Sequence, residues 1–214
     1  MIKTVILDFD GTIADTNECI TATFAEVLRQ MGEKTCDRNA VSSLIGLPLS
    51  EMFRRVLDTD DTSKIDEAVR RYGVLFPDIS VKSVRLFPNV GETLRKMHDM
   101  GLTVAIATSR GRDSLTMLMD VLGITDYISC NYCGEDVKEA KPAPEMVLRI
   151  LADTNTAAGE AIVVGDTWYD IVMGSSAGCT TCGVTYGNHT AETLREHGAD
   201  HVTGDFAEIL GLVS

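Results

Sequence analysis

The run Val5-Ile6-Leu7, which ends directly on Asp8-Phe9-Asp10-Gly11, constrains this chain more than any other stretch. An apolar strand with no polar alternation is buried on both faces, as in a parallel sheet covered by helices. In open α/β sheets ligands bind beyond the carboxyl ends of the strands, so Asp8 lies where the chain leaves the core for that edge. Asp8 and Asp10 are two apart on an extended segment and can project to the same side. Two neighbouring carboxylates repel each other unless a cation or a shared proton intervenes. The same residues also suit an ordinary turn, so the choice between turn and site rests on the remainder of the chain.

Residues 16 to 76 read as almost wholly helical. Ile20, Phe24, Val27, Leu28 and Met31 form one face of a helix over Asn17 to Met31, closed by Gly32. Asp37 and Ser50 suit the N-caps of two short helices, Arg38 to Leu44 and Glu51 to Leu57, separated by Ile45-Gly46-Leu47-Pro48-Leu49. Ile65, Ala68, Val69 and Tyr72 continue the spacing in a fourth helix, from Ser63 to about Leu75. From Val90 the pattern changes. Helices alternate with strands predicted at Leu102–Ala107, Tyr127–Cys130, Ala161–Val164 and Thr181–Tyr186, and two short helices end the chain. That alternation implies right-handed βαβ units and a parallel sheet.

A length of 214 residues suits one core with one insertion, and a 44% apolar fraction is enough to bury it. The formal charge of −13 argues against nucleic acid and anionic membrane as partners, since both call for a basic footprint. An anionic substrate must then be drawn in by local positive charge or a metal. No stretch is long and apolar enough to span a bilayer, and the N-terminus does not read as a signal peptide, so a cytoplasmic protein is expected. Among six cysteines, the pairs Cys130/Cys133 and Cys179/Cys182 have zinc-like spacing. Residues three apart on a strand point to opposite faces, so packed free thiols are expected instead.

Three predicted strands end in reactive groups: Asp8 and Asp10, then Thr108 and Ser109, then Asp166 and Asp170. A parallel sheet brings these ends to one edge. Four carboxylates in one cleft need a cation, and an oxygen-only donor set selects Mg²⁺ over zinc. Lys141, in the loop Lys141-Pro-Ala-Pro-Glu145, is the ammonium placed to join them. Metal, carboxylate, hydroxyl and ammonium are the parts that phosphoryl transfer requires.

The stretches DFDGTIADT, ATSR, KPAPE and GDTWYD, in this order and spacing, resemble the four motifs of haloacid dehalogenase superfamily phosphatases. The resemblance runs essentially end to end. It implies an α/β fold with a Rossmann-like parallel sheet and helices on both faces, formed by residues 1–15 and 82–214. Residues 16–81 would be a small all-helical cap domain. By the same resemblance, Asp8 is the nucleophile, and Asp10 protonates the leaving alcohol and then activates water. Asp8, the Asp10 carbonyl and Asp166 would hold Mg²⁺, with Asp170 supporting them from a second layer. Thr108, Ser109, Arg110 and Lys141 would bind the phosphoryl group, with backbone amides around Phe9 to Gly11. Arg110 stands where Lys or Asn is frequent, and Trp168 is expected to be wall or core. None of the four histidines is given a role.

The loop from Ile45 to Leu49, with Gly46, resembles the superfamily's specificity loop and looks most like that of phosphoglycolate phosphatases and related pyrophosphatases. Arg54, Arg55 and Lys64 could supply charge for a substrate carboxylate, but solvated helix faces are the expected role. The expected substrate is a small phosphorylated metabolite such as phosphoglycolate, and the expected assembly a monomer or weak homodimer. The alternatives are pyrophosphate hydrolysis, a phosphomutase, and a non-catalytic phosphate-binding module.

Overall fold

The computed structural model describes residues 1–214. The chain opens with β1 (Thr4–Leu7) and a short β2 (Ala14–Asp15), followed by α1 (Asn17–Met31), α2 (Arg38–Ser42), α3 (Leu49–Leu57) and α4 (Thr62–Ser83). It then runs β3 (Arg85–Leu86), α5 (Val90–Asp99), β4 (Thr103–Ala107), α6 (Arg112–Leu122), β5 (Cys130–Tyr132), α7 (Glu145–Asp153) and β6 (Ala161–Gly165). The last elements are α8 (Trp168–Ser176), β7 (Thr180–Val184), α9 (Ala191–Glu196), β8 (His201–Thr203) and α10 (Leu210–Val213).

Six strands form one parallel sheet in the order β5-β4-β1-β6-β7-β8. All four residues of β1 are buried, because side chains alternate between two covered faces. Val5 and Leu7 enter one apolar layer with Leu94 of α5 and Leu118 of α6. Ile6 enters the other with Met146 and Val147 of α7 and Met173 of α8. The uninterrupted apolar run is thus explained by helices on both faces, and the expected α/β class is the one observed. Strand order reverses beside β1, which places the crevice for a ligand at its carboxyl end.

The helices α1 to α4 build an interior of their own that continues the first layer. Phe24 of α1 stacks on Phe53 of α3 with ring centroids 4.2 Å apart, and Tyr72 of α4 meets Phe24 edge-on at 5.5 Å. The antiparallel pair β2–β3, with Ala14 opposite Leu86 and Asp15 opposite Arg85, joins the two places where the chain passes between helices and sheet.

Several boundaries differ from the sequence expectation. The fourth helix continues past Pro77 to Ser83. Proline cannot donate to the carbonyl four residues back; that carbonyl belongs to Gly73, and both residues line a solvent-accessible cavity, so the missing bond is not sealed in the core. The third helix starts at Leu49 with Pro48 at its N-cap, so Ser50 is helical rather than capping. The predicted strand at Tyr127–Cys130 is displaced: Thr125–Tyr127 is a 3-10 turn, and pairing with β4 begins at Cys130. The edge strand β8 lies where only helix was expected. The thiols are all free. Each Cys-x-x-Cys pair is divided between the two apolar layers, Cys133 and Cys182 in one, Cys130 and Cys179 in the other.

Candidate active site

Strand β1 delivers Asp8 to the carboxyl edge, where its backbone N–H donates to the Val164 carbonyl of β6 at 2.9 Å. The turn that follows is tight. The Phe9 carbonyl accepts from the amides of Ile13 and Ala14, both at 3.0 Å, while Gly11 N–H donates to Ala14 O at 3.0 Å. The Gly11 amide expected among the phosphate donors is therefore engaged within the turn. Gly11 has φ +86, and a Cβ there would lie 2.3 Å from Asp166 Oδ2. Only glycine combines that backbone conformation with so close an approach.

Adjacent strands add their own first residues. Thr108 follows β4 and Asp166 follows β6, and both are buried. Lys141 Nζ donates to Asp8 Oδ1 and to Asp170 Oδ1, each at 2.6 Å, with its side chain wholly buried. Oxygens of Asp8, Asp166 and Asp170 lie within 4.8 Å of one another. The sequence-predicted cluster is thus assembled from residues up to 162 positions apart in the chain, as their numbers show. Asp170 is fixed by Thr167, whose backbone N–H and hydroxyl donate to its Oδ2 at 3.1 and 2.7 Å.

Charge in this cluster is unbalanced. Burial lifts Asp8 well above the ordinary carboxylate range; Lys141 opposes this, while Asp170, Asp166 and Asp10 add to it. Burial, then the charge of Asp170, pushes Asp166 up to about 7 against hydrogen bonds from Asn188 and Thr12. Burial alone would lower Lys141, but Asp170 and Asp8 outweigh it and keep the ammonium above its usual value. One secure cation therefore faces three carboxylates. An all-oxygen donor set with surplus negative charge fits a hard divalent cation such as Mg²⁺.

Asp10 lies on the other side of this floor. Arg110, expected among the phosphate ligands, closes on it through two contacts, Nε to Oδ2 at 3.0 Å and Nη2 to Oδ1 at 2.5 Å. Thr16 Oγ1 donates to Asp10 Oδ1 at 2.6 Å. The Arg110 guanidinium also lies over the Phe76 ring of α4, 4.7 Å from its centroid. Burial disfavours the charge on Arg110, and Asp10 more than restores it. Ser109 Oγ donates to the carbonyl of Gly46 at 2.6 Å, linking the end of β4 to the loop before α3.

Above Asp8 and Asp10 is a cavity of about 460 Å³ between the sheet edge and the helices α1, α3 and α4. Thr108, Ser109, Arg110 and Gly46 also line it. Arg54, Arg55 and Lys64 do not; they pair with Glu51, Asp60 and Glu33 on the outer surface. Trp168 packs against Tyr169 and His197 outside the cavity.

Four supporting residues were not singled out in the sequence. Asn188 donates to Asp166 Oδ2 from its backbone N–H at 2.7 Å and from Nδ2 at 2.8 Å. Thr12 donates to Asp166 Oδ1 at 3.1 Å. Thr16 and Thr167 hold Asp10 and Asp170 as described. The available signal was the Tyr186-Gly187-Asn188 turn beyond β7, since every other strand around β1 contributes its following turn to this edge.

Residues 5–184 match the family described as haloacid dehalogenase-like hydrolase. The chain belongs to the haloacid dehalogenase-like hydrolases. Within that family it is 32% identical to the probable phosphatase IndB of Dickeya dadantii, over 97% of this chain and 91% of that protein. It is 30% identical to the pyrophosphatase PpaX of Bacillus velezensis, over 98% of this chain and 95% of that one. A Haemophilus somnus structure described as a "predicted phosphoglycolate phosphatase" superposes with a TM-score of 0.89 at 23% identity, covering 100% of this chain and 98% of that one. The last likeness concerns the fold alone.

Proposed function

We propose that this member of the family is a Mg²⁺-dependent phosphatase that hydrolyses a small phosphorylated metabolite of the cytoplasm through an aspartyl phosphate on Asp8. One observation carries the reading: Asp8 faces the cavity while its Oδ1 accepts from Lys141 and its neighbours Asp166 and Asp170 complete an oxygen cluster. Bound by Asp8, Asp166 and the Asp10 carbonyl, Mg²⁺ would neutralise phosphoryl charge and polarise a phosphoryl oxygen.

The remaining chemistry belongs to side chains. An Asp8 oxygen attacks phosphorus as the P–O bond to the alcohol breaks, and the Asp10 carboxyl gives its proton to the departing oxygen. Asp10, now a carboxylate held by Thr16 and Arg110, takes a proton from water, which attacks the phosphoryl group and frees Asp8. Thr108 and the Ser109 amide hold the transferring oxygens, and Lys141 balances the charge of Asp8 and phosphate. Residues 16–81 act as the cap that excludes bulk water, latched by the Ser109–Gly46 bond. Phosphoglycolate and pyrophosphate are the substrates that the names of similar proteins suggest.

The experiment is phosphate release from 4-nitrophenyl phosphate with Mg²⁺, for the native enzyme and Asp8→Asn. The native enzyme should turn over and the variant should lose at least about 10³-fold in kcat, as for other removed nucleophiles. A variant with native melting behaviour and substantial turnover would remove Asp8 as nucleophile. Retention of phosphate on an isomerised product would point to a mutase.

A further inference from the structure

The cavity beyond the phosphoryl position holds information about the alcohol to be released, and the inference drawn from it rests on the phosphatase reading. Its upper wall comes from Leu47 and Leu49 of the loop and α3, Met52 of α3, Val69 and Phe76 of α4, and Met117 of α6. Among its lining residues the charges are few and mostly acidic. Arg110 is the single basic residue, and both edges of its guanidinium are already engaged, Nε and Nη2 by Asp10 and Nη1 by Ser114 at 2.6 Å. The other charged groups on the rim, Asp113 and Glu135, are exposed carboxylates. The cations of the helical layer, Arg54, Arg55 and Lys64, are paired on its outer surface.

A second anionic group on the substrate would therefore meet apolar wall and like charge. To be bound, it would have to share Arg110 with Asp10, which already balances the guanidinium's charge. An apolar alcohol loses nothing there and gains the burial of its own surface. The volume, about 460 Å³ with the phosphoryl position included, falls in the range of sites for drug-sized ligands and is large for the phosphate ester of a two-carbon acid.

We propose that the preferred substrate is a phosphate monoester whose alcohol is neutral, apolar and large enough to carry a ring, rather than phosphoglycolate or pyrophosphate. Each methylene buried against this wall is worth about fourfold in kcat/KM, from roughly 0.8 kcal/mol per group.

The test compares 2-phenylethyl phosphate, ethyl phosphate, 2-phosphoglycolate and pyrophosphate with the native enzyme and Mg²⁺. The first two are matched in alcohol acidity and differ in the ring. The expected order puts 2-phenylethyl phosphate about 10²-fold above both ethyl phosphate and 2-phosphoglycolate in kcat/KM, in proportion to buried area. Gly73 lines the cavity on α4, and a Cβ there would meet nothing within 4 Å. Gly73→Arg should therefore fold and bring a cation to the wall, shifting the ratio toward 2-phosphoglycolate by at least about tenfold through charge complementarity. Equal or better turnover of 2-phosphoglycolate or pyrophosphate by the native enzyme overturns the proposal. If no ester is hydrolysed, the phosphatase reading fails on its own. Calorimetric binding of 2-phenylethyl phosphate against 2-phosphoglycolate then decides the preference of the cavity, and tighter binding of the latter overturns it.

Discussion

Mg²⁺ binding should expel protons from the acidic cluster, and the pH at which it does so follows from Asp166. This side chain is wholly buried and its carboxyl is pushed up to about 7 in the metal-free protein, from an ordinary value of 3.8. At pH 6 such a group is about 90% protonated, and at pH 8 about 10%. A cation that binds the carboxylate must displace that proton, so binding should release about 0.9 proton at pH 6 and about 0.1 at pH 8 from this group alone. Asp8, also raised, adds release of the same sign. From Asp166 alone the apparent Mg²⁺ affinity should then rise about ninefold from pH 5 to 6, about fivefold from pH 6 to 7, and flatten above pH 7. Stability of the metal-free fold runs the opposite way with pH. A raised carboxyl stabilises the metal-free fold fully below the unfolded value and loses that contribution as pH rises through the folded one, a change of about 4 kcal/mol. Calorimetric titration of Mg²⁺ in buffers of different ionisation enthalpy measures the released protons directly. Asn188→Ala removes one hydrogen bond to the ionised form and should move the release curve upward by about one pH unit. Equal proton release at pH 6 and 8, or an affinity independent of pH, would refute the claim that burial and surplus charge keep this cluster protonated.

The Arg110–Asp10 pair is nearly buried, with side-chain exposures of 6% and 13%. Removing one partner should be costly, and Arg110→Met is expected to lower unfolding free energy by about 3 kcal/mol in urea titrations. Pairing it with Asp10→Asn should recover part of the loss, and a coupling below about 0.5 kcal/mol would mean that the pair is energetically idle. Thiol chemistry gives an independent check of the core. Burial raises all six thiols, Cys19 and Cys182 to about 12 and Cys133 and Cys179 to about 11, but Cys36 and Cys130 are the two that are partly exposed, so these two should react first with a disulfide reagent in the native state. All six should react after unfolding, and the purified protein should hold no stoichiometric zinc.

What could be read from the sequence was whatever depends on local pattern. The apolar run before Asp8 announced a buried strand. The period of Ile20, Phe24 and Val27 gave α1 its observed bounds, and the left-handed Gly32 ended it. The short edge strands β5 and β8, three residues each, carry too few residues for any period to register. The fourth helix outruns its expected end at about Leu75 because the usual penalty for an interior proline assumes a buried, deprived carbonyl, whereas Gly73 and Pro77 both line an accessible cavity. Lys141 could be assigned to the cluster by resemblance, but its two contacts at 2.6 Å depend on the packing of α7 and α8 behind the sheet.

Sheet order supplies the rest. Neighbouring strands run β4-β1-β6-β7, so the turns beyond them stand side by side: Thr108 to Arg110, Asp8 to Gly11, Asp166, and Gly187 to Asn188. Reading that edge in order gives a guanidinium, two carboxylates, a third carboxylate and an amide. Arg110 meets Asp10 and Asn188 meets Asp166 because each lies just past a strand adjacent to its partner's. Asp8, between them, receives neither; its one strong donor is Lys141, shared with Asp170. Of the two carboxylates that face the cavity, Asp10 is paired with the guanidinium while Asp8 shares its ammonium with Asp170, and an electrophile bearing its own charge-balancing cation is the partner that such a group can accept.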